Sequence, residues 1–293
     1  TYEGTAMKEK ILNNSTKASA VIFFILIIVH AFEAIFLRMD ETFFAENFIN
    51  KLFGIAVMFV VLKILQWKCA NIGFSFKGFF KNIAIGILLS VFVFAIAYSV
   101  EFFILKARCS SVELGFYTVG FSLAGESAIH KGIGFILMCI FFNIINVIME
   151  EGTFRGLFYQ IVKTNHSMKF SLIFQALLFG VWHIVTPLHN FIDGDINLVS
   201  FIALSVGYII LAGLMGIKWG LMYQLTGSLY SGMADHFFNN CIATNLLHLS
   251  TENGIDEMMI VRVLIAQLVS FFIVLFVWIR KNKKDNKAEL SNA

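Results

Sequence analysis

Charged residues and proline are scarce in this sequence. Charged residues make up 14% of the chain, and proline occurs once, at Pro187. Ordinary soluble domains carry about 25% charged residues, so this low charge content, together with 58% hydrophobic residues, argues against a soluble protein. With a single proline, few helices can be broken by the loss of a backbone donor. The sequence therefore predicts an all-α polytopic membrane protein.

Several common functional motifs are also absent. The chain has four cysteines without C-x-x-C spacing, and a metal or disulfide role for them is not expected. They are Cys69, Cys109, Cys139 and Cys241. There is no H-E-x-x-H zinc-protease motif, no G-x-S-x-G serine motif and no basic stripe of the kind that follows nucleic acid. These absences argue against a nucleic-acid partner and against the commonest serine and zinc proteases.

Apolar segments long enough to cross a bilayer recur along the chain. A spanning helix needs roughly 20 apolar residues, and eight segments approach this length. They lie at residues 18–37, 52–67, 82–105, 133–162, 170–187, 198–216, 226–247 and 258–279. The second and fifth are short, and glycines near 212–232 blur the seventh. We expect about eight transmembrane helices, with seven or nine as alternatives.

Lysine and arginine are distributed unevenly between the ends of these segments. With both termini inside, the inner segments hold fifteen of the 22 basic residues and the outer loops hold five. The five are Arg38, Lys51, Lys106, Arg108 and Lys131. Cytoplasmic loops carry such an excess of positive charge. Both termini are therefore predicted to be cytoplasmic.

A single membrane domain accounts for most of the chain, because no polar segment is long enough to form a second one. It is expected over residues 18–280, between an N-terminal cytoplasmic segment (1–17) and a cytoplasmic tail (281–293). Residues 1–6 precede Met7, which opens M-K-E-K like a natural start, and they are interpreted as a remnant of expression cloning and excluded from the fold prediction. The first apolar segment is long enough to remain as a span.

A short charged stretch follows an uncharged run in the middle of the sequence. Residues 133–149 contain no charged side chain, and Glu150, Glu151 and Arg155 come directly after them. A charge at membrane depth costs about 2.5–3.5 kcal/mol or more, and ionisable groups there are functional candidates by default. Packing alone does not explain these residues, and the stretch therefore predicts a functional site.

The two glutamates differ in their expected partners. On a helix, Glu151 and Arg155 are i,i+4 partners in the favourable order, so Glu151 should be held ionised as a structural anchor. Glu150 is turned about 100° away, and the two carboxylates are not expected to share a face. Glu150 lies instead on a face with Asn143 and Asn146 and has no charged partner there. It is therefore the candidate for chemistry.

Three histidines fall at membrane depth. His30 has Glu33 at i+3, and the two are expected to satisfy each other. His183 and His236 have no such neighbour. At about 1.5 Å per residue from the inner helix ends, Glu150, His183 and His236 lie at depths of roughly 18, 21 and 15 Å. These three could therefore share one level, although separate interhelical hydrogen bonds, which are common for histidine, are the alternative.

This set of side chains suits the activation of water. A carboxylate with a neutral imidazole can act as a general base. A second histidine with an asparagine at i+4, as at His236 and Asn240, can donate hydrogen bonds to a developing oxyanion. The same ligand types could hold Zn²⁺ as two histidines and a glutamate with an open position. From the residues alone, metal-independent and zinc-dependent hydrolases both remain open.

Three motifs occur in order at separations typical of membrane spans. They are E-E-x-x-x-R at Glu150, Glu151 and Arg155, F-x-x-x-H at Phe179 to His183, and H-x-x-x-N at His236 to Asn240. Each motif alone is weak, but the ordered set is specific. Over roughly residues 130–245, the chain resembles the CAAX-protease and bacteriocin-processing (CPBP, or Abi) family of intramembrane glutamic endopeptidases.

The resemblance implies about eight helices enclosing an intramembrane catalytic cavity that faces the cytoplasm. The roles it implies are water activation for Glu150 and His183, an oxyanion site for His236 and Asn240, and structural support for Glu151 and Arg155. It favours a metal-independent mechanism and implies no cofactor, with zinc as the alternative. Substrate identity is expected to reside in the first three spans, which match nothing in the family.

The resemblance leaves the substrate open. Family members trim prenylated C-termini, mature peptide pheromones or bacteriocins, or confer immunity to them. Richness in Phe, Ile, Lys and Asn is typical of an AT-rich bacterial genome, which favours a bacterial plasma-membrane protein that processes peptides or bacteriocins, or gives self-immunity. The expected partners are the lipid bilayer and a peptide or small protein, membrane-inserted or lipidated. A CAAX-type prenyl-protein endoprotease and a non-catalytic scaffold that binds a peptide are the alternatives.

Overall fold

Helices make up nearly all of the computed structural model, which describes residues 2–44, 46–119 and 129–292. Within these ranges, six helices are long and apolar enough to cross a membrane. They are Ser15–Glu41, Phe79–Lys106, Ile133–Lys163, Met168–Ile192, Leu198–Thr226 and Met259–Asp285. The predicted all-α polytopic membrane fold is confirmed.

Each of the eight predicted spans coincides with a helix or a pair of helices. The helices are α1 (Tyr2–Asn13), α2 (Ser15–Phe32), α3 (Ile49–Leu65), α4 (Phe79–Lys106), α5 (Ile133–Glu150), α6 (Tyr159–Lys163), α7 (Met168–Trp182), α8 (Val185–Ile192), α9 (Leu198–Thr226), α10 (Tyr230–Phe237) and α11 (Met259–Asn292). Helix α3 has 17 residues, and α10 has eight with a seven-residue π-helix after it. These two are the predicted spans that fall short of a full crossing.

Three π-helical segments continue α-helices at places rich in polar side chains. Glu33–Leu37 follows α2, Glu151–Phe158 joins α5 to α6, and Phe238–Thr244 follows α10. π-Helical turns are rare and often occur at functional sites. The second segment begins directly after Glu150, and the third contains Asn240. Each therefore holds part of one of the three predicted motifs.

Among the residues that the structure describes, four short strands lie in the connections between helices. β1 (Glu113–Phe116) pairs antiparallel with β4 (Leu247–Ser250), and β2 (Thr118–Val119) pairs antiparallel with β3 (Ile129–His130). The sequence analysis did not predict them, because strands of two to four residues leave no clear hydropathy pattern. The first pair joins the α4–α5 connection to the α10–α11 connection.

Contacts between connections define two ends of the helical bundle. At the end that carries both termini, here called the terminal end, Asn165 donates to Leu12 O and Lys281 Nζ donates to Leu225 O over 3.1 Å. At the opposite end, here called the loop end, Arg38 forms an ion pair with Asp193. The β1–β4 pair also lies at the loop end. The connections after α2, α4, α8 and α10 therefore lie at this end.

Close helix packing places the motif residues in the bundle interior. A Cβ atom on Gly180 of α7 would lie 2.7 Å from the backbone oxygen of Ile209 in α9. A Cβ atom on Gly86 of α4 would lie 2.2 Å from the backbone oxygen of Ser231 in α10. Both contacts are too close for any side chain. Glycine at these positions therefore lets α7 and α10 approach their neighbours and carry their histidines inward.

Candidate active site

The charged stretch meets α10 at His236. Nε2 of His236 lies 3.5 Å from Glu150 Oε2, and Nδ1 lies 2.9 Å from Glu151 Oε1. The expectation that the two adjacent glutamates share no face is therefore wrong. One imidazole carries nitrogens on two sides of its ring, and the helix changes from α to π between Glu150 and Glu151. Both carboxylates can thus reach the same side chain.

The predicted pair of Glu151 and Arg155 is present and fully buried. Glu151 Oε2 lies 3.3 Å from Arg155 Nε, and the two side chains are 1% and 0% exposed. The guanidinium carbon of Arg155 lies 3.7 Å from the ring centre of Phe179 and 4.9 Å from that of Trp219. Faces of aromatic rings attract cations. Glu151 therefore has two roles, because one of its oxygens pairs with Arg155 and the other contacts His236.

Glu150 has a partner that the sequence analysis missed. The indole Nε1–H of Trp182 donates to Glu150 Oε1 over 3.1 Å, and Glu150 is 4% exposed. Its other oxygen, Oε2, accepts no hydrogen bond from any described residue. Trp182 also stacks on His30, with ring centres 4.2 Å apart. One carboxylate oxygen is thus held by a hydrogen bond, and the other is buried without one.

His30 and Glu33 do not satisfy each other, contrary to expectation. The carboxylate of Glu33 accepts hydrogen bonds from the backbone N–H groups of Ile49 (2.8 Å) and Asn50 (2.6 Å), at the beginning of α3. A carboxylate at a helix N-terminus is stabilised by the helix dipole and the unpaired N–H groups. The i+3 spacing could not reveal this longer-range partner.

His183 is oriented by its own helix. Its Nδ1 lies 2.8 Å from the backbone oxygen of Phe179, one turn earlier. A carbonyl oxygen only accepts hydrogen bonds, so Nδ1 carries the proton and Nε2 carries a lone pair in the neutral ring. His183 also lies within electrostatic range of Glu150. The site therefore contains two hydrogen-bond acceptors, Glu150 Oε2 and His183 Nε2.

A chain of hydrogen bonds fixes the orientation of His236 and Asn240. Lys218 Nζ donates to Gln267 (2.6 Å), Gln267 to Asn239 (2.9 Å), Asn239 to Asn240 (2.7 Å), and Asn240 Nδ2 to His236 Nε2 (3.1 Å). An ammonium group has only donors, so each amide must present its oxygen towards Lys218 and its nitrogen away from it. The neutral His236 ring consequently accepts at Nε2 and donates from Nδ1 to Glu151.

The start of this hydrogen-bond chain is itself an ion pair beside the His236 ring. Lys218 Nζ lies 2.5 Å from Asp235 Oδ2, and both side chains are almost fully buried. Trp219 Nε1 donates to the same oxygen over 2.7 Å. The Trp219 ring stacks on His236 at 4.0 Å between centres and 14° between planes. Lys218 and Asp235 therefore position the Trp219 ring, which packs against the face of the His236 ring.

Lys218 and Arg155 are two of the fifteen basic residues that the sequence analysis placed at the inner ends of the spans. The structure corrects both placements. Lys218 lies inside α9, which continues to Thr226 rather than ending at residue 216, and both side chains are 0% exposed. Thirteen basic residues then remain at the terminal end against five at the loop end, so the charge bias is kept. A buried lysine between apolar residues is the signal that could have pointed to this network.

A cavity of about 620 Å³ extends from Glu150 to the connections at the loop end. Its deep wall is formed by Glu150, Asn143, Asn146, Trp182, His183, Asn240 and His30. Asn143 and Asn146 thus line the cavity beside Glu150, as predicted from their helical spacing. His236 lies behind Glu150 and Asn240 and is 2% exposed. Three of the four predicted catalytic residues, Glu150, His183 and Asn240, line the cavity. The fourth, His236, contacts Glu150 and Asn240.

The predicted catalytic side chains are not among the described residues whose ligand atoms lie close enough together to hold a metal ion. Among the described residues, one group of three His, Cys, Asp or Glu side chains has ligand atoms all within 4.8 Å of one another, namely Glu41, His189 and Asp193. That group lies at the cavity mouth, where Arg38 already forms ion pairs with Glu41 and Asp193. Both ring nitrogens of His236 are also engaged by protein side chains.

Residues 132–242 match the family described as "Type II CAAX prenyl endopeptidase Rce1-like". The matched range begins before α5 and ends in the π-helix that follows α10, so it contains all three motifs. No curated protein matches the chain. The match confirms the resemblance to CAAX proteases. With six helices capable of spanning a membrane, the chain is an integral membrane protein similar to membrane endopeptidases.

Proposed function

We propose that the protein is an intramembrane endopeptidase that hydrolyses a peptide bond in a membrane-associated peptide, with water activated by Glu150 and His183. The observation that carries this proposal is the buried Glu150 carboxylate at the deep wall of a cavity, with one oxygen held by Trp182 and the other unpartnered. A carboxylate held in this way at membrane depth is costly. A role as the base for water explains its presence better than packing does.

The first step is attack by water on the peptide carbonyl carbon. A water molecule that donates its two hydrogens to Glu150 Oε2 and His183 Nε2 directs an oxygen lone pair into the cavity. As the new C–O bond forms, one proton passes from water to Glu150. General-base catalysis of this kind contributes typically 10²–10⁴-fold in rate.

The second requirement is a donor for the oxyanion of the tetrahedral intermediate. Asn240 Nδ2 has two hydrogens, and His236 Nε2 accepts one of them. The other hydrogen is free to donate to the oxyanion. His236 keeps this amide in place through the hydrogen bond accepted at Nε2, and the Glu151 carboxylate at Nδ1 fixes the tautomer that accepts it. His236 and Asn240 therefore form the proposed oxyanion site.

The last step breaks the C–N bond. The proton held by Glu150 passes to the departing amine nitrogen, and the carbonyl reforms as the new carboxylic acid. Glu150 thereby returns to its ionised form, so the enzyme is unchanged and one water is consumed per bond cleaved. Glu151 and Arg155 take no part in proton transfer and support the site by position. The mechanism needs no metal ion.

The biological substrate is proposed to be a peptide that is matured, or a bacteriocin that is processed or neutralised, at a bacterial plasma membrane. A prenylated protein C-terminus, the substrate class named in the matched family description, is the second candidate. Asparagines, histidines and carboxylates line the cavity beside apolar side chains such as Phe135, Met138 and Phe142, which suits a peptide that carries both polar and apolar groups. A non-catalytic scaffold would use the same cavity for binding only.

The test is peptide cleavage by the purified protein in detergent, followed by mass spectrometry. The parent protein should release defined fragments, and Glu150→Gln should release none while unfolding at the parent's temperature. Ser99→Ala is a matched control, since Ser99 is an exposed residue of α4 that bonds only within its own helix. Full biological activity in a strain that carries Glu150→Gln would instead support the scaffold.

A further inference from the structure

The cavity opens at the loop end of the bundle. The exposed residues in its lining are Asp40, Glu41, Phe44, Asp193 and Asp195. They belong to the connection after α2 and the connection after α8. No lining residue comes from the connections at the terminal end. A substrate can therefore reach Glu150 through the mouth at the loop end.

The two ends carry different charges. Thirteen lysine and arginine residues lie at the terminal end, in α1, the α3–α4 connection, the first turns of α2, α4 and α7, the end of α6, and the C-terminal part of α11. Five lie at the loop end. Cytoplasmic segments carry an excess of lysine and arginine, so the terminal end is cytoplasmic and the loop end lies across the membrane from the cytoplasm.

Two expectations from the sequence therefore exclude each other. The charge bias places both termini in the cytoplasm, whereas the family resemblance implies a cavity that faces the cytoplasm. In this fold the cavity mouth and the termini lie at opposite ends. The charge bias is a property of this chain itself, and it remains after the buried Arg155 and Lys218 are removed from the count. We therefore assign the sidedness of the protein from the charge bias rather than from the family resemblance.

The cavity mouth is acidic. Besides Glu150 at the deep wall, the lining contains five carboxylate residues and one lysine: Asp40, Glu41, Glu46, Asp193, Asp195 and Lys51. Arg38 and Lys51 form ion pairs with three of the five carboxylates. Asp40 and Asp195 form no ion pair with any described residue. Hydrogen bonds from Arg38 also hold the pKa of Asp193 below its usual range, which keeps that carboxylate charged.

Acceptors continue from the mouth to the deep wall. Asn146 is 8% exposed and Glu150 is 4% exposed, and both line the cavity. The side-chain oxygen Oδ1 of Asn146 and the oxygen Oε2 of Glu150 have no hydrogen-bond partner among the described residues. A cavity with an acidic mouth and unpaired acceptors inside is complementary to a ligand that is positively charged and rich in donors.

We propose that the cavity receives a cationic peptide from the extracytoplasmic side of the membrane. Cleavage of that peptide rests on the proposed function, but the direction of access and the preference for positive charge do not. Clefts lined by one sign of charge raise the local concentration of oppositely charged ligands. The acidic mouth should therefore select lysine- and arginine-containing peptides that are outside the cytoplasm.

Native cysteines test the direction of access. Cys69 is exposed in the α3–α4 connection at the terminal end, and Cys109 lies in the α4–α5 connection at the loop end. Two variants would each keep one of these cysteines and carry serine at the other three positions. In intact cells, a membrane-impermeant maleimide should label the Cys109 variant and should label the Cys69 variant only after permeabilisation. The reverse pattern would overturn the proposed sidedness.

The cysteine in the cavity wall tests the preference for positive charge without catalysis. Cys139 lines the cavity, and a variant with Cys139 as its sole cysteine and Glu150→Gln reports occupancy through its labelling rate. A lysine-rich peptide should protect Cys139 at about tenfold lower concentration than a peptide of the same length with glutamate at those positions. Adding Asp40→Asn and Asp195→Asn should remove most of this difference. Equal protection by the two peptides would overturn the charge preference.

These measurements separate failure of this inference from failure of the proposed function. If labelling and protection behave as expected and the parent cleaves no peptide, the cavity binds cationic peptides from outside but the protease assignment is wrong. If the parent cleaves peptides in detergent and Cys69 is the cysteine labelled from outside, the protease assignment stands and the sidedness is wrong.

Discussion

Removal of Glu151 is the perturbation for which the structure gives the clearest magnitude. Glu151 is 1% exposed and is the carboxylate partner of the fully buried Arg155. Breaking a buried ion pair by removing one partner typically costs 3–5 kcal/mol, because the remaining charge is uncompensated. Glu151→Ala should therefore destabilise the folded protein by about 3–5 kcal/mol. Arg155→Ala should behave similarly, since it strands the carboxylate instead.

A double variant separates the two roles of Glu151. Replacing both partners of a buried pair by apolar side chains of similar volume is often neutral for stability. The variant with both Glu151→Leu and Arg155→Met should therefore recover most of the lost stability. It should not recover activity, because Nδ1 of His236 would still lack the acceptor that now lies 2.9 Å away. Without that acceptor the proton on the imidazole is no longer held at Nδ1.

The assay is thermal unfolding and peptide turnover measured on the same purified samples in detergent. We expect the double variant to unfold near the parent's temperature while its kcat stays far below that of the parent. A double variant as active as the parent would show that Glu151 serves Arg155 alone. The proposed orientation of His236 by Glu151 would then be refuted.

Three further predictions concern the surroundings of the site. Gln267→Leu should lower kcat roughly fivefold and leave KM unchanged, because it cuts the hydrogen-bond chain to Asn240, and one such bond is worth about 1 kcal/mol. Ser270→Ala is its control, since Ser270 contacts Lys218 but lies outside the chain, and an equal loss in both variants would refute the orienting role. Trp182→Phe should lower kcat with little change in stability, because it removes the donor to Glu150 Oε1 and keeps an aromatic side chain; unchanged kinetics would count against it. Elemental analysis should find no stoichiometric zinc, and zinc that restores activity after chelation would overturn the metal-independent mechanism.

The features that sequence analysis predicted are those with a local signal. Runs of about 20 apolar residues mark spanning helices, and the helical rise places Glu150, His183 and His236 at comparable depths. In the structure, Glu150, His183 and Asn240 line one cavity, and His236 lies behind Glu150 and Asn240.

The features that sequence analysis missed depend on contacts between distant helices. Trp182 donates to Glu150 across 32 positions of sequence, and Lys218 reaches Gln267 across 49. No spacing rule within one helix encodes such pairs. The assumption of a regular α-helix also failed where α5 becomes a π-helix, and this is why Glu151 was assigned to Arg155 alone.

The direct attack of water activated by Glu150 is the central claim, and a single-turnover reaction in oxygen-18 water with added hydroxylamine tests it most directly. If water itself attacks the peptide carbonyl, the new C-terminus should be a free acid that carries one labelled oxygen, with no hydroxamate. Glu150→Gln should give neither product. A hydroxamate product from the parent would reveal a covalent acyl-enzyme and would contradict the proposed mechanism.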